Sequence, residues 1–291
     1  MDINHRICEF NNKKLLKNLN KINIEYDFDD KIKSIIVNIT ESHQKWPEFK
    51  NLIKKYDLFD LESVKYSKKE IDSADWLLLR SQGHFGYPQP ENNYEEISFE
   101  TNNYCKRCGI FLTQKAPIRF RKYPKIKSHF FKLNWIMDEF FIKKEVKSIF
   151  EFNNIDVDYI KPVVHKNNEP ILDYYQINIK HILPFGLKSD KLNIESCEIN
   201  INEKKINDVD WNFRYPKEYP SCNQIKYNYP TRDFIQFKSE AFDKSPDIVK
   251  SKEFFGSGGE AHRLVIISKK LKNIIEENNF RGVVFEPIKL I

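Results

Sequence analysis

Shifting this chain so that Lys144 falls on Lys269 brings two stretches into register without gaps. Lys144–Val163 then lies on Lys269–Ile288. Identities fall at Lys144/Lys269, Lys147/Lys272, Ile149/Ile274, Glu151/Glu276, Asn153/Asn278, Asn154/Asn279 and Pro162/Pro287. Val146/Leu271, Phe150/Ile275, Ile155/Phe280 and Ile160/Phe285 are apolar in both copies. Each copy reads as a short helix with one apolar stripe, an Asn-Asn stop, and a strand that ends at Pro. A chain carrying this unit twice must pair helix with strand twice. The expected class is therefore α+β, with two related helix–strand halves. The competing explanation is two similar units produced by a Lys/Asn/Ile-rich composition alone.

Cysteine spacing extends the correspondence. Cys105-Lys106-Arg107-Cys108-Gly109 precedes the first copy, and Tyr219-Pro220-Ser221-Cys222-Asn223 precedes the second. Tyr stands for the first Cys and Asn for Gly, and Asn is the residue that best replaces Gly at positive φ. Two residues between thiolates let both sulfurs reach one tetrahedral ion, and the Gly permits the turn beneath it. Such a pair is half of a zinc knuckle. Cys222 is the candidate third ligand and Cys197 the fourth, with His129 or His181 in reserve. The alternative is a degraded site with four buried thiols. Five cysteines, an odd number, in a chain of 291 residues suit thiols or metal ligands rather than disulfides.

Other chemistries fit less well. A redox Cys-x-x-Cys sits at a helix start, whereas Ile110, Phe111 and Leu112 follow here and read as a strand or hairpin. A zinc deaminase needs His-x-Glu upstream and Pro before the first Cys, but Tyr104 occupies that place and neither His43 nor His84 begins the motif. Phe255-Gly256-Ser257-Gly258-Gly259-Glu260 suggests a phosphate cradle, yet no Gly-Lys-Ser/Thr follows and Glu260 repels phosphate. It reads better as a tight turn where backbone meets backbone. Glu260 and His262 form a possible acid/base pair with no nucleophile beside them in sequence. The chain is accordingly read as a non-enzyme.

The net charge of +6 raises the question of nucleic acid. Lys is spread along the chain, without a block of five like charges, as solvated faces would place it. Arg119 to Lys127 interleaves cations with rings. A strand gives the same pattern, with Arg119, Arg121 and Tyr123 on one face and Ile118, Phe120 and Lys122 on the other. Arg119, Arg121 and Lys125 are the candidate contacts for an acidic partner.

The N-terminal stretch reads as α+β: strands at His5–Phe10 and Ile32–Thr40, and a helix opened by Pro47 with Phe49, Leu52, Ile53 and Tyr56 at helical spacing. Ser67-Lys68-Lys69-Glu70 is a capping box for a helix running through Trp76 to Leu79. Gly83 to Asn93 reads as a loop or linker. Three segments result: residues 1–100, 101–195 and 196–291. With 14% aromatic residues the chain must collapse into a core. Nothing resembles a signal sequence or a bilayer-spanning run, so the expected compartment is the cytoplasm.

Tyr104 to Gly109, the altered second knuckle at Tyr219–Asn223, Phe254 to Gly259, and the ending Ile267-Ser268-Lys269-Lys270 through Gly282 to Phe285-Glu286-Pro287 together resemble the double-CXXCG motif proteins. The resemblance covers roughly the last two-thirds of the chain. Its last segment also resembles a broader group of immunity-like domains. Members of the family are identified as immunity proteins of contact-delivered polymorphic bacterial toxins. The resemblance implies a cytoplasmic protein that binds a cognate toxin domain without turnover. The family's paired cysteines carry over to Cys105, Cys108 and Cys222; Tyr219 departs from the pattern, and Cys197 lies outside it. The alternative function is a zinc-knuckle nucleic-acid binder that uses the Arg119–Lys127 face.

Overall fold

The computed structural model describes residues 1–190, 192–197 and 219–291. It divides into two units. Met1–Ser73 with Thr231–Phe234 forms the first, and Ala74–Pro230 with Ile235–Ile291 the second. The boundary expected near residue 100 thus falls inside the second unit, and the two later segments share one unit. Residues 198–218 of the third segment lie outside the described residues.

The first unit is α+β. Strands β1 (Asp2–Phe10), β2 (Asp27–Asp29), β3 (Ser34–Thr40) and β4 (Asp60–Lys65) form an antiparallel sheet in the order β2-β3-β1-β4. Helices α1 (Lys13–Ile22) and α2 (Trp46–Tyr56) bury Leu15, Leu19, Phe49 and Leu52 against Ile7, Ile35 and Val37 of the sheet. The capping box forms: the Ser67 amide donates to Glu70 Oε2 at 2.8 Å and the Glu70 amide to Ser67 Oγ at 3.3 Å. Its helix, α3, ends at Ser73, having begun at Lys68. Trp76 to Leu79, expected in that helix, instead belong to strand β5 (Trp76–Ser81). This strand lies between two others, with Leu77, Leu78 and Leu79 all buried. A short continuous apolar run of this kind has no periodicity that separates strand from helix.

The second unit continues with α4 (Tyr94–Ser98), β6 (Phe99–Glu100), β7 (Thr113–Gln114), β8 (Arg119–Phe120), β9 (Phe130–Phe131), β10 (Phe141–Lys143), α5 (Lys144–Phe152), β11 (Asp158–Ile160), β12 (Val163–Val164) and β13 (Tyr174–Asn178). After these come β14 (Ile194–Ser196), β15 (Ile225–Tyr227), β16 (Gln236–Phe237), a 3-10 turn (Ser239–Phe242), β17 (Ile248–Phe255), β18 (His262–Ser268), α6 (Lys269–Glu277), β19 (Val283–Pro287) and β20 (Lys289–Leu290). The expected helix–strand repeat is present, although β11 ends at Ile160, two residues before Pro162, whereas β19 ends at Pro287. Helices α5 and α6 end on Asn153 (φ −90°, ψ 8°) and Asn278 (φ −88°, ψ 6°), followed by Asn154 at φ 53° and Asn279 at φ 55°. The Asn-Asn pair supplies the left-handed residue that ends each helix.

The duplication reaches well beyond that segment. One sheet runs β9-β10-β13-β11, and four strands of the other run β17-β18-β5-β19. Each places a strand between the one entering the helix and the one leaving it. Phe141 pairs with Phe131 and Gln176, as Ile266 pairs with Val249 and Leu78. β8 pairs in parallel with β12, as β16 does with β20. His84 bridges Lys132 as Ile182 bridges Lys250, both in parallel. The inserted strands are exchanged: β5 precedes the first copy yet completes the second sheet, while β13 precedes the rest of the second copy yet completes the first sheet. The copies are further joined by Lys250, whose ammonium lies 3.2 Å from Asp138 and 2.6 Å from Glu139.

Candidate metal centre

The four predicted cysteines meet at one point between the copies. Cys105, Cys108, Cys197 and Cys222 place their Sγ atoms all within 4.8 Å of one another. Cys105 and Cys197 sulfurs are 3.9 Å apart, and those of Cys108 and Cys222 are 3.5 Å apart. Sulfurs at the corners of a tetrahedron about a metal with 2.3 Å bonds stand about 3.8 Å apart. The first three cysteines are buried and Cys222 partly so. This set can hold a metal ion. His129 and His181 are not among its ligand atoms.

Local backbone explains why each sulfur points inward. The Gly109 amide donates to the Cys105 carbonyl at 2.8 Å and the Cys105 amide to the Ile110 carbonyl at 3.0 Å, closing a tight loop. Within it, amides of Arg107 and Cys108 point at the Cys105 sulfur, and the Ile110 amide points at the Cys108 sulfur. Gly109 holds φ +81°. The second half-knuckle repeats this device: Asn223 holds φ +58°, and the Gln224 amide points at the Cys222 sulfur. Asn223 therefore does for Cys222 what Gly109 does for Cys108. Tyr219, in the place of the missing Cys, lies under the Lys106 ammonium at 5.6 Å. Cys197 supplies the fourth sulfur from the end of β14, where its amide donates to the Gln224 carbonyl across the strand pair at 3.0 Å.

Burial raises the thiol pKa of Cys108 and Cys222. It acts on Cys105 in the same direction, but hydrogen bonds from the surrounding amides and thiols outweigh it and hold that thiol below its usual range. Thiolates at this density need a compensating cation.

Two further elements close the centre. The glycine-rich turn between β17 and β18 lies directly on Gly109. A Cβ there would collide with the Gly259 carbonyl and stand 2.8 Å from the Ala261 amide nitrogen. This is the backbone-on-backbone approach expected of that turn. Lys226 on β15 is buried, and its ammonium donates to the carbonyls of Cys108 (3.1 Å), Gly258 (2.5 Å) and Glu260 (2.9 Å). Burial lowers its pKa, and the Glu195 carboxylate, 3.6 Å away, opposes that shift. Glu195 also accepts from the Gly258 amide at 2.8 Å. Lys226 thus ties the strand after the second half-knuckle to the first knuckle and to the turn. Nothing in the sequence marks Lys226 for this role. In Ile225-Lys226-Tyr227 the alternation is inverted, with Ile225 42% exposed and Lys226 1%, so hydropathy points the wrong way.

The basic stretch differs from the expectation. Only Arg119 and Phe120 form strand β8, and the alternation ends there. Ile118 and Phe120 are buried as expected, but Lys122, expected on their face, is exposed. Tyr123 turns to pack on Tyr174, with its hydroxyl bonded to Asp173, and Pro124 is buried. Arg119 is half-buried and donates to Asn168 Oδ1 at 2.7 Å. Arg121 and Lys125 are exposed.

His262 is buried beside Tyr229, whose hydroxyl is 2.8 Å from its Nε2. Burial lowers its pKa to about 4, against the attraction of Asp138. No helix among the described residues is long and apolar enough to cross a membrane. Compared with known proteins, the chain matches no protein-family model and no curated protein sequence.

Proposed function

We propose that this chain is a cytoplasmic immunity protein: it binds a cognate toxin domain without turnover, and one structural zinc ion clasps its two copies together. Zinc is the ion that four cysteine sulfurs at tetrahedral spacing suit best. Four protein ligands leave no open position for substrate, so the ion's role is structural. Its contribution is to fix the exchanged copies against each other, since metal binding by such a set adds directly to folding free energy.

One observation carries the immunity reading. The separate segments that resemble the double-CXXCG proteins, namely Cys105–Gly109, Cys222-Asn223 and the Gly256–Gly259 turn, converge on the four-cysteine centre. Their convergence supports reading them together as one structural device. The test is co-expression with the product of the adjacent gene. The proposal expects a stable one-to-one complex and protection of the host from that product. A chain that neither co-purifies with it nor protects would overturn the reading, and a salt-sensitive shift of labelled DNA or RNA would favour the nucleic-acid alternative.

A further inference from the structure

The duplication sets two buried lysines at matching positions. Phe131 pairs with Phe141 as Val249 pairs with Ile266, and the next residues are Lys132 and Lys250. Their backbones are held alike. The Lys132 amide donates to the Gly83 carbonyl at 3.2 Å, and the Phe85 amide donates to the Lys132 carbonyl at 2.7 Å. The Lys250 amide donates to the His181 carbonyl at 2.9 Å, and the Leu183 amide donates to the Lys250 carbonyl at 2.9 Å. Both lysines are buried.

Their surroundings differ in charge. Counting back from Phe141 and Ile266 sets Asp138 against Arg263 and Glu139 against Leu264. The two loops touch where the Arg263 amide donates to Asp138 Oδ2 at 3.4 Å. Counting on from Gln176 and Leu78, which pair with Phe141 and Ile266, sets Asn178 against Arg80. The bridges at the two lysines set Ile182 against His84. Each lysine lines a cavity with its own members of this set. Around Lys250 the wall holds Asp138, Glu139, Asn178 and Ile182. Around Lys132 it holds Arg263, Leu264, Arg80 and His84, and no Asp or Glu among the described residues.

Lys250 is thus neutralised where it lies, 2.6 Å from Glu139 and 3.2 Å from Asp138. Burial works to lower its pKa, and the attraction of these carboxylates more than reverses that. Lys132 has no ion-pair partner among the described residues. Its ammonium donates to the Met137 carbonyl and lies 4.1 Å from the centre of the Phe140 ring. An ammonium has three protons to place, so one carbonyl does not satisfy it. Burial lowers its pKa to about 8, and Asp138 attracts it only from beyond ion-pair distance. A buried charge is costly unless it is paired.

The Arg80 guanidinium lies 3.9 Å from the centre of the Tyr229 ring, and its Nε donates to Glu286 at 3.1 Å. Of its five donors this leaves several for a ligand. His84 is exposed and marks the solvent side of the cavity. The cavity measures about 110 Å³. That is far more than the 10–15 Å³ or so that one water needs, and well below the roughly 300 Å³ of the smallest pockets for larger organic ligands.

We propose that this cavity binds one small oxyanion, of carboxylate or phosphate size, held by Lys132 together with Arg80 and His84. The ion stands in for the carboxylates that Lys250 receives from Asp138 and Glu139 in the other copy. Neither the zinc centre nor a toxin is needed for this site, so its test stands or falls apart from the immunity reading.

The test is calorimetric titration of the full chain with sodium phosphate and, separately, sodium acetate, at ionic strength held constant with chloride. Saturable one-to-one binding of at least one ion is expected, with a Kd at or below about 10 mM. The tighter of the two distinguishes a tetrahedral inorganic ion from a carboxylate. At a hundredfold excess over Kd the ion should raise Tm by about 5–10 °C. Lys132→Met, which keeps the buried stem and removes the charge, should weaken binding about tenfold or more. His84→Glu sets a carboxylate beside Lys132 at an exposed position, and should weaken binding by a similar factor even if Lys132→Met does not fold. No saturable binding of either ion, or binding unchanged in His84→Glu or in folded Lys132→Met, would overturn the site. So would a rise in Tm that never saturates and is equal in parent and variant, because exclusion of the salt from the protein surface acts in that way.

Discussion

Gly109→Ala isolates the packing of the knuckle from its sulfur chemistry. Gly109 holds φ +81°, and an added Cβ would meet the Gly259 carbonyl and the Ala261 nitrogen. An L-residue in the left-handed region costs about 1–2 kcal/mol. Relief of the collision requires moving the backbone of the glycine-rich turn, which itself accepts no slack because Lys226 grips the Gly258 and Glu260 carbonyls. Overpacking of that kind costs about 1–3 kcal/mol. The two effects act together, so the expected destabilisation is about 2–5 kcal/mol. The assay is urea unfolding followed by far-ultraviolet circular dichroism. In a domain this size each kcal/mol lowers the melting temperature by about 2–4 °C, which gives a second readout. Gly83→Ala is the control, since its added Cβ meets nothing within 4 Å, and it should stay within about 0.5 kcal/mol of the parent. Asn223→Gly, at φ +58°, should also remain close to the parent. If Gly109→Ala unfolds together with Gly83→Ala, the close approach of turn to knuckle is not what holds this region.

Cys197→Ser and Cys222→Ser should each weaken zinc binding by more than about 100-fold in chelator competition, exceeding the loss typical of removing a group that merely orients a ligand. If Cys197→Ser binds as the parent does, the fourth ligand is misassigned. Lys226→Met should destabilise by about 1–3 kcal/mol, because three carbonyls lose their buried donor; a neutral effect in urea unfolding would contradict the assigned role. His262 gives a pH prediction. Its folded pKa of about 4 lies below the ordinary value of 6.5, so the unfolded chain binds the proton more readily between those two values. The stability contributed by neutral His262 is therefore full above pH 6.5 and is lost as pH falls toward 4, by about 3 kcal/mol in total. Unfolding midpoints across that range should flatten in His262→Gln, and equal slopes in the two proteins would refute the assignment.

The features legible in the sequence are those set by local rules. The Asn-Asn helix ends and the apolar stripes of α5 and α6 recur because each copy must stop its helix with a left-handed residue. Cys222 was identifiable because Asn223 can adopt the φ that Gly109 adopts. The strand exchange was not identifiable, because pairing of β5 with β18 and β19 links residues far apart in the chain and Trp76–Leu79 carries no strand period. Cys197 followed only from its being the remaining nearby cysteine. Its position depends on the pairing of β14 with β15, which no spacing rule reveals. Lys226 was hidden because carbonyls brought together by folding, rather than an acid nearby in sequence, receive its ammonium. The basic stretch misled because Tyr123 packs on Tyr174 beyond β8, ending an alternation that composition alone would continue.

The centre between the copies can be tested directly by metal analysis of the purified chain combined with cobalt substitution. One zinc per chain is expected, with the cobalt form showing the absorption of tetrahedral thiolate coordination, lost when Cys105, Cys108, Cys197 or Cys222 is replaced by Ser. Substoichiometric metal, with all four thiols of the native protein freely reactive and stability indifferent to chelators, would contradict it.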